Sequence, residues 1–184
     1  MKNLIILLFL FIMISCKSQS PIYTFGSNNI PSTIPNNAYI KDTNNILNKF
    51  TGSWKYESNG KTFAINLQKT MMNLSNYFVD ELNGYYKYID GNSTIIDTSN
   101  FPINKSRITG GWIRNGNLNK VTLFFYDPAR PKMSCEVDLT YSNTNGVEKL
   151  QWNLRLVGLP ASRDPNMNPA TDFRVPTDVV LVKQ

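Results

Sequence analysis

Histidine is absent from the 184 residues of this chain. Serine and cysteine hydrolases usually take their general base from histidine, and most catalytic zinc and many iron sites take their ligands from it. The missing imidazole therefore argues against both classes. We expect no catalytic residue of this kind, no metal site and no cofactor.

Charge is also scarce. Lysine, arginine, aspartate and glutamate make up 17% of the chain, below the quarter or so that is typical of soluble domains. The formal net charge is +6, but the basic residues are scattered and nowhere form a run of five or more. Nucleic-acid-binding proteins concentrate basic residues in patches. We therefore predict no nucleic-acid partner.

Cysteine occurs only twice, and its two positions indicate different roles. Cys135 alternates with Val137 and Leu139 along a predicted strand, which places it on an apolar face. Cys16 instead lies two residues after the end of the only long apolar run of the chain. If Cys16 is modified there, Cys135 is left without a partner, so we expect no disulfide within the mature chain.

That apolar run covers residues 4–14, after a short basic start at Lys2. A membrane-spanning helix needs about 20 apolar residues and a signal-peptide core about 7–15, so the run is typical of an export signal. Its end, Ser15 followed by Cys16, resembles the bacterial lipobox. The resemblance implies cleavage between these two residues and lipid on the Cys16 thiol, with fatty acids such as palmitate anchoring the chain stably. The alternative is an ordinary secretory signal cleaved elsewhere.

These features predict three parts: a signal peptide over 1–15, a flexible tether over 16–38 and a folded domain over 39–184. The tether is assigned because the segment is rich in serine, asparagine, proline and threonine. We expect an exported protein that is anchored in the outer membrane, at its periplasmic face or at the cell surface.

Most of the folded domain has the pattern of β-strands. Apolar and polar residues alternate over several segments, and Asn-Gly or Asp-Gly pairs between them predict tight hairpins. One short helix is expected within residues 38–50, with Asp42 or Thr43 as its N-cap. The predicted strands cover about 52–58, 61–70, 75–80, 84–89, 93–98, 106–114, 118–127, 134–142, 147–158 and 177–183.

Strands joined in sequence by short hairpins form an antiparallel up-and-down meander. Such a meander either closes into a barrel or folds into a sandwich, and only closure removes the sheet edges. We predict an all-β protein with a closed barrel of about eight to ten strands, in which the last strand returns to pair with the first.

Gly52 and Trp54 resemble the Gly-x-Trp opening of lipocalin-type barrels. In that family the tryptophan closes one end of the barrel beneath an arginine. The resemblance therefore implies a lipocalin-like barrel with an arginine above Trp54, and leaves three candidates open: Arg107, Arg155 and Arg174.

A broader resemblance covers nearly the whole chain. The signal ending in Ser15 and Cys16, together with segments 34–42, 47–54 and 180–184, is similar to a family of small flavobacterial lipoproteins that is classed only as a domain of unknown function. The resemblance implies a lipocalin-like lipoprotein, and it supplies no activity and no catalytic residue.

Candidate catalytic groups have simpler structural explanations. Ser58 and Lys61 match a Ser-x-x-Lys string, but the Asn-Gly pair between them predicts a hairpin turn and not the helix on which such a pair works. Asp80 and Glu81 are adjacent in a predicted strand and therefore face opposite ways. No acid–base pair emerges, so we predict a protein that is not an enzyme.

Aromatic side chains are more numerous than the predicted core requires, and some segments are apolar on both faces. The leading hypothesis is therefore a non-catalytic, membrane-tethered binding module whose barrel holds a small apolar or amphipathic ligand. The alternative is an interaction or scaffolding lipoprotein that contacts another envelope protein through its outer face or its 159–176 loop. A carboxylate-based glycan hydrolase is the third hypothesis.

Overall fold

The computed structural model describes residues 20–114, 116–158 and 170–184. Within them the chain forms eleven strands and two short 3₁₀ helices, Ile46–Phe50 and Ile103–Lys105. No helix in these ranges is long and apolar enough to cross a bilayer. The strands are β1 (Ile22–Thr24), β2 (Tyr39–Lys41), β3 (Gly52–Ser58), β4 (Lys61–Asn73), β5 (Phe78–Asp90), β6 (Ser93–Asp97), β7 (Ile108–Trp112), β8 (Lys120–Phe125), β9 (Ser134–Thr144), β10 (Val147–Gly158) and β11 (Asp178–Lys183).

Eight strands close into an antiparallel barrel in which neighbours in the chain are neighbours in the sheet. The order around the barrel is β3, β4, β5, β7, β8, β9, β10 and β11. The ring closes where β11 returns to β3, so that Val182 pairs with Lys55 and Lys183 with Trp54. The predicted all-β up-and-down barrel is confirmed, and the sandwich alternative is wrong.

One difference from the predicted strands concerns β5, a single strand where residues 75–80 and 84–89 were expected to form two. Asn83 and Gly84 look like a turn in the sequence, yet Gly84 pairs with Leu67 in the middle of the β4–β5 ladder. A Cβ atom on Gly84 would lie 2.0 Å from the carbonyl oxygen of Asn66. This glycine therefore marks a close approach of two strands and not a turn.

The second edge of β5 is shared by three strands. β2 pairs with residues 78–79, β7 with residues 82–84 and β6 with residues 87–90. β1 then pairs with β2 in the parallel direction. As a result β1 and β2 extend the sheet sideways at the end of the barrel where β5 begins. We call this end, with the 74–77 turn that joins β4 to β5, the tip.

The short helix predicted within residues 38–50 is not confirmed as an α-helix. Residues 39–41 are extended because they pair with neighbouring strands, and only Ile46–Phe50 is helical, as a 3₁₀ helix. Its N-cap residue is Asn45 and not Asp42 or Thr43, although the Asp42 carboxylate accepts hydrogen bonds from the amides of Ile46 (2.7 Å) and Leu47 (2.9 Å).

The barrel interior is filled by aromatic side chains from opposite walls. Phe63 lies 5.0 Å from Trp152 between ring centroids, Trp152 lies 5.8 Å from Phe125, and Phe125 lies 4.7 Å from Tyr86. Tyr86 returns to Phe63 at 6.3 Å, which completes a ring of four contacts across the barrel. These side chains are all buried. At this level of the barrel, side chains therefore occupy the space in which a ligand was expected, and the expectation of a ligand stays a prediction.

Part of the segment expected to be a tether is folded onto the barrel. β1 lies within it, Phe25 is buried, and the backbone amide of Tyr39 donates to the carbonyl of Pro21 at 2.9 Å. The folded unit therefore begins at about Pro21. The predicted signal peptide over 1–15 and the predicted lipid-bearing Cys16 lie outside the described residues.

Candidate functional site

A cleft lies outside the barrel wall, near the tip, between the segment that follows β1 and the end of β7. Its floor is the start of β5 around Val79. The segment that follows β1 and the end of β7 approach each other closely where each has a glycine. A Cβ atom on Gly26 would lie 2.9 Å from Ile113 Cδ1, and one on Gly111 would lie 3.5 Å from the ring of Phe25. Gly26 also has a φ of +73°, which glycine adopts without strain.

The cleft has a volume of about 390 Å³. This lies within the range of about 300–1,000 Å³ that small-molecule sites usually occupy. Most of its wall is apolar, and no lysine or arginine is among the described residues that line it. The apolar side chains of the wall include Phe25, Ile30, Ile34, Ile40, Val79 and Ile113.

Two adjacent carboxylates, Asp80 and Glu81, border the cleft, and they face opposite sides of β5 as predicted for neighbours in a strand. Asp80 turns towards the end of the barrel, where it accepts hydrogen bonds from the hydroxyl of Tyr39 (2.6 Å) and the amide of Asp42 (2.9 Å). Burial, and then the hydrogen bond to Asp80, raise the pKa of Tyr39 to about 12.

Glu81 belongs to a polar cluster on the outer face of the barrel. Its Oε1 atom accepts hydrogen bonds from the Thr109 hydroxyl at 2.9 Å and from the Asn83 amide at 3.1 Å. Asn83 is buried, and its side-chain oxygen lies 2.8 Å from the same Thr109 hydroxyl, whose single hydrogen is shared between the two acceptors. The cluster therefore fixes one oxygen of Glu81 and orients this carboxylate at the edge of the cleft.

Ser27 adds a polar group whose hydrogen bond is not satisfied. Its hydroxyl oxygen is buried and has no hydrogen-bond partner among the described residues, and Ser27 lines the cleft. Buried polar atoms are nearly always paired, so a single orphaned hydroxyl calls for an explanation. A ligand in the cleft that carries a polar head would supply the missing partner.

Trp112 forms part of the cleft wall and remains 46% exposed. Its ring packs over Gly110, where a Cβ atom would come within 3.0 Å of it, and lies 4.5 Å from the ring of Phe124 between centroids. The other two tryptophans, Trp54 and Trp152, are fully buried. Fluorescence changes caused by a ligand in this cleft should therefore come from Trp112.

The tryptophan predicted to close one end of the barrel is buried, and the cation over its ring is a lysine and not an arginine. Trp54 is fully buried and its indole N–H donates to the carbonyl of Phe50 at 2.9 Å. The cation over its ring is Lys183 of β11, 5.2 Å from the ring centre, and not one of the three arginines considered. The ammonium of Lys183 also pairs with Glu148 at 2.8 Å.

The three arginines lie elsewhere. Arg107 stacks on the ring of Phe101 at 4.0 Å, and Arg155 bridges two carboxylates of β9 on the outer surface. Arg174 pairs with the buried carboxylate of Asp127, with its Nε 2.7 Å from Oδ2. The partner of Trp54 was missed because the family pattern names arginine, while the register of the closing strand brings a lysine there.

The remaining chemical candidates stay apart from the cleft. Cys135 is buried in the core, where burial raises the pKa of its thiol. Ser58 and Lys61 pair across the β3–β4 hairpin, as the Asn-Gly turn predicts. Across the parts of the chain that the structure describes, no three acidic or cysteine side chains cluster closely enough to hold a metal ion. Ser15 and Cys16 lie outside those parts.

The cleft itself was missed in the sequence. The proline- and asparagine-rich stretch before β2 was interpreted as a tether, and the apolar residues with which it lines the cleft, Phe25, Ile30 and Ile34, are too widely spaced for a strand or helix pattern. Their spacing at intervals of four or five residues within a polar segment was the only available signal. Such a segment covers an apolar surface without forming regular structure of its own.

Comparison with known proteins gives a family without an assigned role. The family described as "Family of unknown function (DUF6705)" matches residues 1–184 of the chain. No curated protein sequence and no solved structure matches it. Functional interpretation therefore depends on the cleft and on the residues around it.

Proposed function

Because the chain belongs to the DUF6705 family, whose function is unknown, we propose from the site itself that the protein is a non-catalytic binding module for a small apolar or amphipathic ligand. The ligand occupies the cleft beside the barrel. The observation that carries this proposal is an apolar cleft of about 390 Å³ lined by Ser27, whose buried hydroxyl has no hydrogen-bond partner in the described parts of the chain. Few, well-placed polar groups in an apolar wall are typical of ligand sites.

The polar groups also favour one kind of ligand. Glu81 borders the cleft, and the described lining contains no cation to balance it. A head group that donates hydrogen bonds, such as an amine or a hydroxyl, matches Glu81 and Ser27, whereas a carboxylate head would be repelled. The ligand we propose has an apolar body of modest size and a donor head.

Binding is measured by the emission of Trp112 during titration with decylamine, decanol and decanoate, which share a similar tail. We expect decylamine and decanol to shift the emission saturably and decanoate to do so far more weakly. Val79→Phe, which adds a ring at the floor of the cleft, should weaken decylamine binding at least about tenfold, or 1.4 kcal/mol. The matched control Val157→Phe lies on the exposed face at the other end of the barrel and should leave it unchanged.

A saturable shift that persists unchanged in Val79→Phe, or that is equal for the three head groups, would contradict the proposed site or its chemistry. Trp112→Phe removes the reporter and shows how much signal comes from the buried tryptophans. Native mass spectrometry of the detergent-extracted protein supplies an independent measurement, since a ligand acquired in the cell should remain bound and add its mass.

We also propose that the protein is an exported lipoprotein of the cell envelope, held in the outer membrane through Cys16. The support is the apolar run over residues 4–14 that ends in Ser15 and Cys16. Labelled palmitate should be incorporated into the wild-type chain and not into Cys16→Ala. The N-terminal peptide of the mature chain should begin at Cys16 and carry the mass of its acyl chains. Equal incorporation in both chains would contradict the assignment.

A second candidate function rests on the outer face of the barrel. Trp112, Phe124 and Tyr126 form a row of partly exposed rings along β7 and β8, with centroid distances of 4.5 and 6.2 Å. Aromatic residues of this kind are enriched in protein interfaces. A photo-cross-linker at position 126 that captures one reproducible envelope protein, and is blocked by Phe124→Ser, would favour the interaction role. The 159–169 part of the loop considered for this role lies outside the described residues.

A further inference from the structure

The chain enters the folded unit at the tip, next to the cleft. Pro21 is held there by the hydrogen bond that its carbonyl accepts from Tyr39, and β1 begins at the following residue. In the sheet register Ile22 pairs with Tyr39, and Tyr39 with Phe78, the first residue of β5. Pro21 and Ile22, where the chain joins the folded unit, therefore lie at the same end of the barrel as the turn of the β4–β5 hairpin.

Only a short link separates this point from Cys16. Five peptide steps lead from Cys16 to Pro21, and a fully extended chain covers at most about 17 Å over that distance. β4, which runs from the opposite end of the barrel to the tip, spans 13 residues, or about 40 Å. A lipid on Cys16 thus reaches the tip, while the opposite end lies beyond its range.

The tip exposes apolar side chains. Ile22 is 62% exposed and Leu74 is 44% exposed, and Leu74 also lines the cleft. Lys41, at the end of β2, is exposed as well. Apolar side chains with a nearby lysine suit the surface of a bilayer, where the cation interacts with anionic head groups.

We infer that the short link holds the tip against the membrane, so that the cleft opens towards the bilayer and takes up a membrane-resident amphiphile directly from it. The inference rests on the lipidated Cys16 of the proposed function. It deepens that function by naming the ligand as a single-chain membrane amphiphile with a hydrogen-bond-donating head. The ligand then moves between bilayer and cleft without exposing its tail to water, which an apolar tail strongly disfavours.

Depth-dependent quenching tests the orientation. The lipidated full chain is placed in vesicles of phosphatidylethanolamine and phosphatidylglycerol that contain brominated phospholipid, and Trp112→Phe serves as the background so that only buried native tryptophans remain. Leu74→Trp reports on the tip. Val157→Trp reports on the opposite end at a position of similar exposure, 46%. We expect the tryptophan at position 74 to lose most of its emission and the one at position 157 to keep it.

A second pair of chains tests the link. A flexible Gly/Ser insertion of about 15 residues between Ser20 and Pro21 frees the domain from the anchor without altering the folded unit. We expect the insertion to restore most of the emission at position 74. In chains that keep Trp112, it should also slow the transfer of decylamine from vesicles to the protein, followed by the emission of Trp112. Quenching that survives the insertion, or that is equal at positions 74 and 157, would overturn the inference.

Failure of the inference and failure of the proposed function remain distinguishable. Mass spectrometry of the reconstituted chain first establishes whether Cys16 carries lipid. The quenching in vesicles is interpreted only for chains that do. The Cys16→Ala chain in solution establishes whether the cleft binds decylamine when no membrane is present. A lipidated chain that binds decylamine and shows no difference between the two tryptophan positions contradicts the orientation alone.

Discussion

Removing Phe63 from the barrel interior should be costly, because the ring is enclosed by other side chains on all sides. Phe63 is fully buried and lies within 6.3 Å of three other aromatic rings, those of Tyr86, Tyr88 and Trp152. Phenylalanine-to-alanine changes at such positions typically cost about 3–5 kcal/mol, which combines lost burial with the cavity left behind. For a domain of this size that corresponds to a fall of roughly 10 °C in Tm.

The measurement is urea unfolding of Phe63→Ala, followed by the emission of the buried tryptophans. Phe124→Ala, on the outer face and half-buried, is the matched control and should lose clearly less stability. A cost below about 1 kcal/mol for Phe63→Ala would refute the reasoning, because it would mean that the ring already borders an open, hydrated space. The barrel interior would then return as a candidate ligand site.

Two further predictions concern the strands and the tip. Gly84→Ala should destabilise the protein by at least about 1–3 kcal/mol in urea unfolding, because the new Cβ would lie 2.0 Å from a backbone carbonyl oxygen. The control Gly158→Ala places a Cβ 3.9 Å from a side-chain atom and should be neutral or slightly stabilising. Equal effects of the two substitutions would contradict the close approach at Gly84. The raised pKa of Tyr39 means that its proton is bound more tightly in the folded state, so the stability it contributes is complete below pH 10 and is lost between pH 10 and about 12. Tyr39→Phe should flatten this alkaline loss in thermal unfolding, and an unchanged pH profile would contradict the assignment.

The barrel was predictable because its strands carry strong local signals. Alternation in segments such as 147–158 and the Asn-Gly hairpins specify neighbours in the chain, and an antiparallel meander needs little more. β1 and β2 were missed because three-residue strands show no period, and they are extended because β2 pairs with β5 and β1 pairs with β2. The predicted break between residues 80 and 84 was wrong, because β5 runs without interruption from Phe78 to Asp90 and Gly84 lies at a close approach of two strands.

The site was less predictable than the fold. Alternation shows which residues point inward but not how far they reach, and a ring of large aromatics and an open cavity give the same pattern. Side-chain contacts across the barrel, such as that between Phe63 and Trp152, depend on the register of strands far apart in the chain. The cleft depends on an irregular segment folding back over β5, and irregular segments have no periodic signature.

The pairing of the barrel strands is uneven, and this divides the barrel into two halves. β3, β4 and β5 form one continuous ladder, and β7 to β11 form another. In the described residues, the backbone pairing between the two halves is limited to residues 82–84 of β5 with β7 and to residues 182–184 with β3. Hydrogen exchange should therefore be fastest along these two seams, because opening there breaks few bonds. Since the β5–β7 seam adjoins the cleft, a bound amphiphile would contact both halves of the barrel and would slow hydrogen exchange at that seam.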